Sequence, residues 1–357
     1  MKNSRIRFAG EEAVPPNTAF RLALLILAAL SLAFTTFSDQ PVLFARPAGW
    51  PKPSYDFSRN PQTAAGFRLG RMLFYDPALS RDGSISCASC HSPQSAFTHS
   101  DHRVSHGIEG RQGERNAPAL VNLAWNTSFH WDGGVNNLEI QAVNPVTHPN
   151  EMDFTMDEMV DRLNASRAYR GRFFRAFADS AITGQRVLKA LAQFTVSLQS
   201  YNAKYDKYLR HEAGGEMSEP ELNGLRLFRQ HCASCHQEPL FTNNTFANNG
   251  LLPDTLLRDR GRYRITAQPD DDYKFRVPTL RNIEFSAPYM HDGRFRYLRQ
   301  TIQHYTSGTI VPSPTLAPQL RQPVTLSTAE QRDIMLFLFT LTDKEFLDDA
   351  RFRYQPE

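Results

Sequence analysis

Apolar residues recur at helical spacing in several stretches, separated by long polar loops rich in glycine, proline and asparagine. Gly66–Asp76 (GFRLGRMLFYD) and Asn223–His231 (NGLRLFRQH) each set apolar residues at that spacing beside basic ones. Gln185–Tyr201 (QRVLKALAQFTVSLQSY) reads as one amphipathic helix. Three capping boxes mark helix starts. Thr155 with Glu158 predicts a helix running toward Phe177. Ser218 with Glu221 predicts the helix leading through Asn223–His231. Ser327 with Glu330 predicts a last helix with an apolar stripe of Ile334, Phe337, Leu338 and Leu341. The Met and aromatic residues on these stripes read as core. No stretch shows a persuasive strand alternation, so the expected fold is mainly α.

The N-terminus breaks the pattern. Lys2, Arg5, Arg7 and Arg21 precede an apolar run, LALLILAALSLAF, from Leu22 to Phe34. A basic segment followed by such a run is a secretory leader. The run is shorter than the roughly 20 residues a membrane span needs. No A-x-A cleavage site follows, so an uncleaved anchor stays open. Membrane contact is expected only through this segment, and the expected location is the periplasm. Composition changes the picture little. The 41% hydrophobic and 22% charged content over 357 residues suits one large globular domain or two ordinary ones. A net charge of +3 with no dense basic run gives no case for nucleic acid.

The chemistry lies in five residues that occur twice. CASCH stands at Cys87–His91 and again at Cys232–His236, and the two copies use all four cysteines. C-x-x-C-H is the attachment signature of c-type haem. Two thiols add to the two vinyl groups of one porphyrin, and the adjacent imidazole ligates the iron. A disulfide needs no His after the second Cys, and a zinc site would draw both pairs to one metal. Two covalently bound haems are therefore expected, held by Cys87 and Cys90 with His91, and by Cys232 and Cys235 with His236. Covalent haem attachment in bacteria takes place outside the cytoplasm, which agrees with the leader. The expected organisation is a leader or anchor over residues 1–45, an N-terminal haem domain over 46–210 and a C-terminal one over 211–357, with two cytochrome c-like domains joined near His211–Glu221. The second ligand of each iron is not fixed by spacing. His99, His102, His106, His130 and His148 are candidates at the first haem, and Met290, His291, His304 and Tyr305 at the second.

Several stretches resemble the bacterial dihaem cytochrome c peroxidases and their relative MauG, over roughly Gly66 to Leu341. They are LGRMLFYDPALSRDGSISCASCH, SHGIEGRQGERNAPAL, FHWDGG, LEIQAVNPVTHPNEM and FRVPTLRNIEFSAPYMHDG. The resemblance implies an enzyme that reduces hydrogen peroxide to water at the N-terminal haem. Its electrons come from a small donor protein, a c-type cytochrome or cupredoxin, through the C-terminal haem. It also implies roles. His106 is the labile distal ligand of the first haem, and Trp131 stands between the haems. Gln141 and Glu151 form the peroxide pocket. Asn116, Ser286 and Pro288 surround a calcium ion between the domains. Tyr305 occupies the position where ordinary members have the distal Met of the C-terminal haem, a MauG-like feature, whereas the retained His106 is peroxidase-like. Met290 remains the alternative ligand. Two other functions stay open. One is MauG-like oxidation of a protein or organic substrate through a high-valent dihaem state, and the other is a dihaem electron carrier without peroxide chemistry. A homodimer is also open.

Overall fold

The computed structural model describes residues 20, 41, 43–100 and 102–355. The expected leader, with its apolar run Leu22–Phe34, lies outside the described residues. The unit Pro41–Glu357 carries two haem-binding motifs on a helical scaffold. Its helices are α1 (Ala64–Tyr75), α2 (Cys87–Cys90), α3 (Leu138–Gln141), α4 (Val143–Thr147), α5 (Met156–Ala165), α6 (Arg167–Phe177), α7 (Gly184–Thr195), α8 (Lys204–Leu209), α9 (Glu219–His231), α10 (Tyr263–Thr266), α11 (Leu298–Thr306), α12 (Thr328–Phe339) and α13 (Lys344–Asp348). The strands β1 (Phe246–Ala247) and β2 (Phe275–Arg276) pair antiparallel, Phe246 opposite Arg276. The chain is mainly helical with long loops, as its pattern predicts.

Two hydrophobic cores form, and they are built alike. In the first, α1 crosses α7. In the second, α9 crosses α12. Each crossing closes on a glycine. A β-carbon at Gly70 would fall 2.0 Å from the Ala190 carbonyl oxygen, and one at Gly224 would fall 2.0 Å from that of Asp333. Backbones approach that closely only where no side chain intervenes. One turn on, Phe74 meets Phe194 with ring centroids 5.1 Å apart, and Phe228 meets Phe337 at the same 5.1 Å. The cores are not strictly successive in sequence. Tyr205 already belongs to the second, while Phe346, Leu347 and Phe352 from the C-terminal end return to the first.

The capping boxes hold at Thr155, Ser218 and Ser327. Two helix lengths differ from expectation. The helix opened at Thr155 stops at Ala165, because Ser166 adopts an extended conformation and its side chain caps the start of α6. The Gln185–Tyr201 segment is helical only to Thr195. Beyond that point Asn122 takes over the backbone, donating from its main-chain N to Leu198 O and from its side chain to Ser200 O. Tertiary hydrogen bonds there replace helical ones.

The two halves also share a loop, in constant register. Pro118 corresponds to Pro278, Leu120 to Leu280, Asn122 to Asn282, Asp132 to Asp292 and Gly133 to Gly293. The backbone repeats with the sequence. Phe129 bridges Val135 and Tyr289 bridges Phe295, and the corresponding residues His130 and Met290 both have left-handed φ. The repeated loops clasp each other. Asn116 N donates to His291 O, and Arg276 N donates to Trp131 O, both at 2.7 Å. Residues 116 and 276 are counterparts, as are 131 and 291, so the contact between halves is reciprocal.

Candidate functional site

Each CASCH follows a helix that its core holds in place. Cys87 and Cys90 lie on α2, and Cys232 sits at the end of α9. No disulfide joins any of the four cysteines. Burial pushes the Cys87 and Cys232 thiols up to about 12 and Cys90 up to about 11. The two histidines are oriented alike. His91 Nδ1 lies 2.8 Å from Phe97 O, while His236 Nδ1 lies 3.1 Å from Phe241 O and 3.2 Å from Pro278 O. A carbonyl partner makes Nδ1 the donor and leaves Nε2 as the bare nitrogen that ligates iron. Burial also keeps both rings neutral, lowering His91 to about 4 and His236 in the same direction.

Each motif opens onto a cavity. The first, about 60 Å³, is lined by Cys87, Cys90 and His91 together with Gln141, Pro145 and Glu151. The second, about 260 Å³, is lined by Cys232, Cys235 and His236 with Met290 and Tyr305. Paired thiols, a neutral imidazole with a bare Nε2 and an apolar wall are what a covalently held haem requires, and both sites fit it.

The first cavity gathers the expected pocket residues. Gln141 ends α3. Glu151 follows α4, fixed where its N donates to His148 O and its carbonyl accepts from Ile108 N. Burial raises the Glu151 carboxyl above its ordinary value, and the nearby His148 opposes the shift. His106 does not line this cavity. Its ring meets His102 edge-on with centroids 4.6 Å apart, and its carbonyl lies 4.0 Å from Cys90 Sγ. Pro145, which no motif singles out, stands in the lining and offers no donor to iron.

The second cavity holds both candidate ligands. Tyr305, on α11, is half-buried, and desolvation pushes its phenol up to about 12. Asn249 Nδ2 lies 3.3 Å from Tyr305 Oη and 3.5 Å from Met290 Sδ, so one amide touches both. The main chain of Asn249 is held in turn, its carbonyl 2.9 Å from His304 Nε2. His304 is thereby engaged as a structural residue. His291 stacks on Phe275 with ring centroids 3.6 Å apart.

The loop between the cavities carries Trp131, whose Nε1 donates to Asn116 O at 2.8 Å and whose ring lines the second cavity. Its neighbour His130 faces the other way. Burial lowers the pKa of His130, Asp132 opposes that shift, and so does a hydrogen bond with the backbone of Gln141 in the first pocket. Residues 130 and 131 therefore span the two sites. Asn116 and Pro288 meet at this junction, and Ser286 lines the same cavity. Asn116 Nδ2 lies 2.6 Å from Pro288 O, and its Oδ1 is buried without a partner. Among the described residues no group of three acidic, cysteine or histidine side chains could hold a metal. Any cation here would rest on neutral oxygens, of which Asn116 Oδ1 is the one left over.

Duplicated CxxCH cradles on duplicated helix pairs define a c-type dihaem protein. A family profile described as di-haem cytochrome c peroxidase matches residues 64–214. The methylamine utilization protein MauG of Methylorubrum extorquens is 36% identical over 301 residues, spanning 84% of this chain and 83% of its own. Cytochrome c551 peroxidase of Nitrosomonas europaea is 35% identical over 286 residues, spanning 79% and 81%. Among solved structures, a MauG-like protein associated with microbial copper homeostasis superposes with a TM-score of 0.78 at 31% identity, over 87% of this chain and 98% of its own. The chain belongs to the dihaem cytochrome c peroxidase and MauG family, whose members are oxidoreductases that carry haem.

Proposed function

We propose that the protein reduces hydrogen peroxide to two waters at the first CASCH site, with two electrons that enter at the second. One observation carries the reading. A carboxyl and a carboxamide, Glu151 and Gln141, share a mainly apolar cavity of about 60 Å³ with a haem-binding motif. An electron carrier needs neither. Haem iron, held by His91, supplies the redox centre at which peroxide accepts electrons. Gln141 orients peroxide by hydrogen bonding. Glu151 takes a proton from one peroxide oxygen and returns it to the other, so that the departing oxygen leaves as water. Burial suits the carboxyl to this task by bringing its pKa toward neutrality. Trp131, with His130, provides the path between sites.

The electrons come from a small donor protein, a c-type cytochrome or cupredoxin, that docks near the second haem. His106, on the loop beside Cys90, closes the first site by turning inward and opens it by turning away. Tyr305 ligates the second iron, and the unpartnered Asn116 Oδ1 supports a calcium ion between the halves with Ser286 and Pro288. The leader sends the enzyme to the periplasm, and the two haem domains divide near residue 210.

The second reading is MauG-like: the electrons are withdrawn from a protein or organic substrate. Tyr305 in the second cavity favours it, because an anionic oxygen ligand holds iron oxidised more firmly than a thioether does. One experiment separates the readings. Peroxide is added to the fully oxidised and the half-reduced protein while haem absorbance and EPR are followed. A response only after half-reduction supports the donor-driven peroxidase, and a response of the fully oxidised form supports the MauG-like reading. Silence in both would defeat peroxide chemistry altogether.

A further inference from the structure

Arg276 is buried, at 6% exposure, and its Nε has no partner. Among the described residues no carboxylate lies within ion-pair distance of it. Two neighbouring arginines, the buried Arg281 and the half-buried Arg115, are matched by carboxylates. Arg281 forms two 2.8 Å hydrogen bonds with Asp206, and Arg115 lies 2.6 Å from Asp259. A buried, unpaired cation is costly, and burial alone lowers this guanidinium only to about 10, so it stays charged at neutral pH. The fold nevertheless holds it in place. Arg276 lies on β2, its N donates to Trp131 O at 2.7 Å, and it lines the cavity shared by Cys235, His236 and Trp131. Its counterpart in the first half is Asn116, which is neutral, so this charge is specific to the second site.

We propose that Arg276 is the carboxylate clamp of the second site: its guanidinium pairs with a propionate of the haem bound at Cys232 and Cys235, seats that edge against Trp131 and raises the haem's reduction potential. Guanidinium is suited to this by its planar, two-pronged donor geometry. The sign follows from charge. Reduction of ferric iron removes one positive charge, so a nearby cation favours the reduced form, and its loss leaves the propionate to favour the oxidised one. The second haem is thereby kept reducible by its donor despite an oxygen ligand.

The inference rests on haem occupying the second CASCH, and the test separates the two. Wild type, Arg276→Lys and Arg276→Gln holoproteins are assayed for covalent haem per chain and titrated by spectroelectrochemistry. Fewer than two haems in the wild type would defeat the haem reading itself. With two haems, Arg276→Gln is expected to shift the ferric/ferrous equilibrium of the second haem about tenfold toward ferric, 59 mV for one electron. The first haem should move less, and Arg276→Lys should retain most of the potential. An unchanged second potential in a fully loaded Arg276→Gln protein overturns the proposal. So does a wild-type potential that follows added chloride or acetate at constant ionic strength, since that marks an exchangeable anion. If Arg276→Gln does not load, resonance Raman of wild type and Arg276→Lys decides. A propionate bending mode that shifts between them supports the clamp, and identical modes overturn it.

Discussion

The first and second halves use one scaffold for two different ends. Gly70 and Gly224 close the helix crossings, Phe97 and Phe241 orient the proximal imidazoles, and the clasping loops repeat. The difference lies in the next helical segment. Leu138 and Leu298 begin it in register, and both are buried. Seven residues on, the first half has Pro145 and the second has Tyr305, each lining its cavity. Proline cannot donate to iron, while a phenol can. Gln141 likewise corresponds to Thr301. The duplicated cradle thus presents a proline at one site and a phenol at the other. In the proposed function this asymmetry is what sets the direction of electron flow.

The largest expected effect falls on the open site. Glu151→Gln should slow peroxide turnover by about 10²- to 10⁴-fold, the usual worth of a positioned acid/base group, with both haems still attached. In the wild type the carboxylate must be free to accept a proton. Its pKa is raised, so turnover should decline as pH falls through a value above the ordinary carboxylate range, and the variant should lack that limb. Stopped-flow rates across pH check both. Turnover that survived the substitution would remove Glu151 from the mechanism and leave the two sites chemically alike.

The shared scaffold predicts equal damage in both halves. Gly70→Ala and Gly224→Ala each force a β-carbon into a backbone carbonyl, which should cost about 1–3 kcal/mol as overpacking does. Chemical denaturation of the holoproteins measures it. A marked inequality would show that the repeated crossings carry unequal strain.

Much of this was legible in the chain. CASCH names its own cofactor because the chemistry needs those residues at that spacing. The capping boxes locate helix starts because capping is local. Glu151 and Gln141 are another matter: they are ordinary loop and helix residues whose meaning comes only from resemblance or from the cavity they share. The repeated loop was readable, since Pro118, Leu120, Asn122 and Asp132 recur in register, and it would have paired Pro145 with Tyr305. The end of the Gln185 helix was not readable, because it depends on Asn122, far away in sequence. Arg276 was hidden for the same reason. A lone arginine in a sequence gives no sign that folding will bury it without an anion.

Tyr305→Phe sharpens the comparison by removing one oxygen. The ring keeps its volume, so the core should hold. With no phenol at the second iron, an external ligand such as cyanide should bind the second haem at least tenfold more tightly, about 1.4 kcal/mol, and the two sites should become more alike. Optical titration separates them. An unchanged second spectrum would hand the ligand role to Met290.

The smallest effect concerns Asn249, whose amide lies 3.3 Å from Tyr305 Oη and 3.5 Å from Met290 Sδ. A long hydrogen bond of this kind is worth about 0.5–1.5 kcal/mol net. It lowers the pKa of the Tyr305 phenol against the larger effect of burial, which means it favours the phenolate. Asn249→Ala should therefore make Tyr305 a weaker anion and move the tyrosinate-to-iron charge-transfer band, while leaving cyanide binding at the first haem untouched. Met290→Leu serves as the control, since it removes the amide's other partner without touching the phenol. If Met290→Leu moves the spectrum of the second haem more than Asn249→Ala does, the sulfur rather than the phenol faces the iron. The two halves would then differ by a thioether, and the second haem would return to the higher potential of an ordinary electron-entry site.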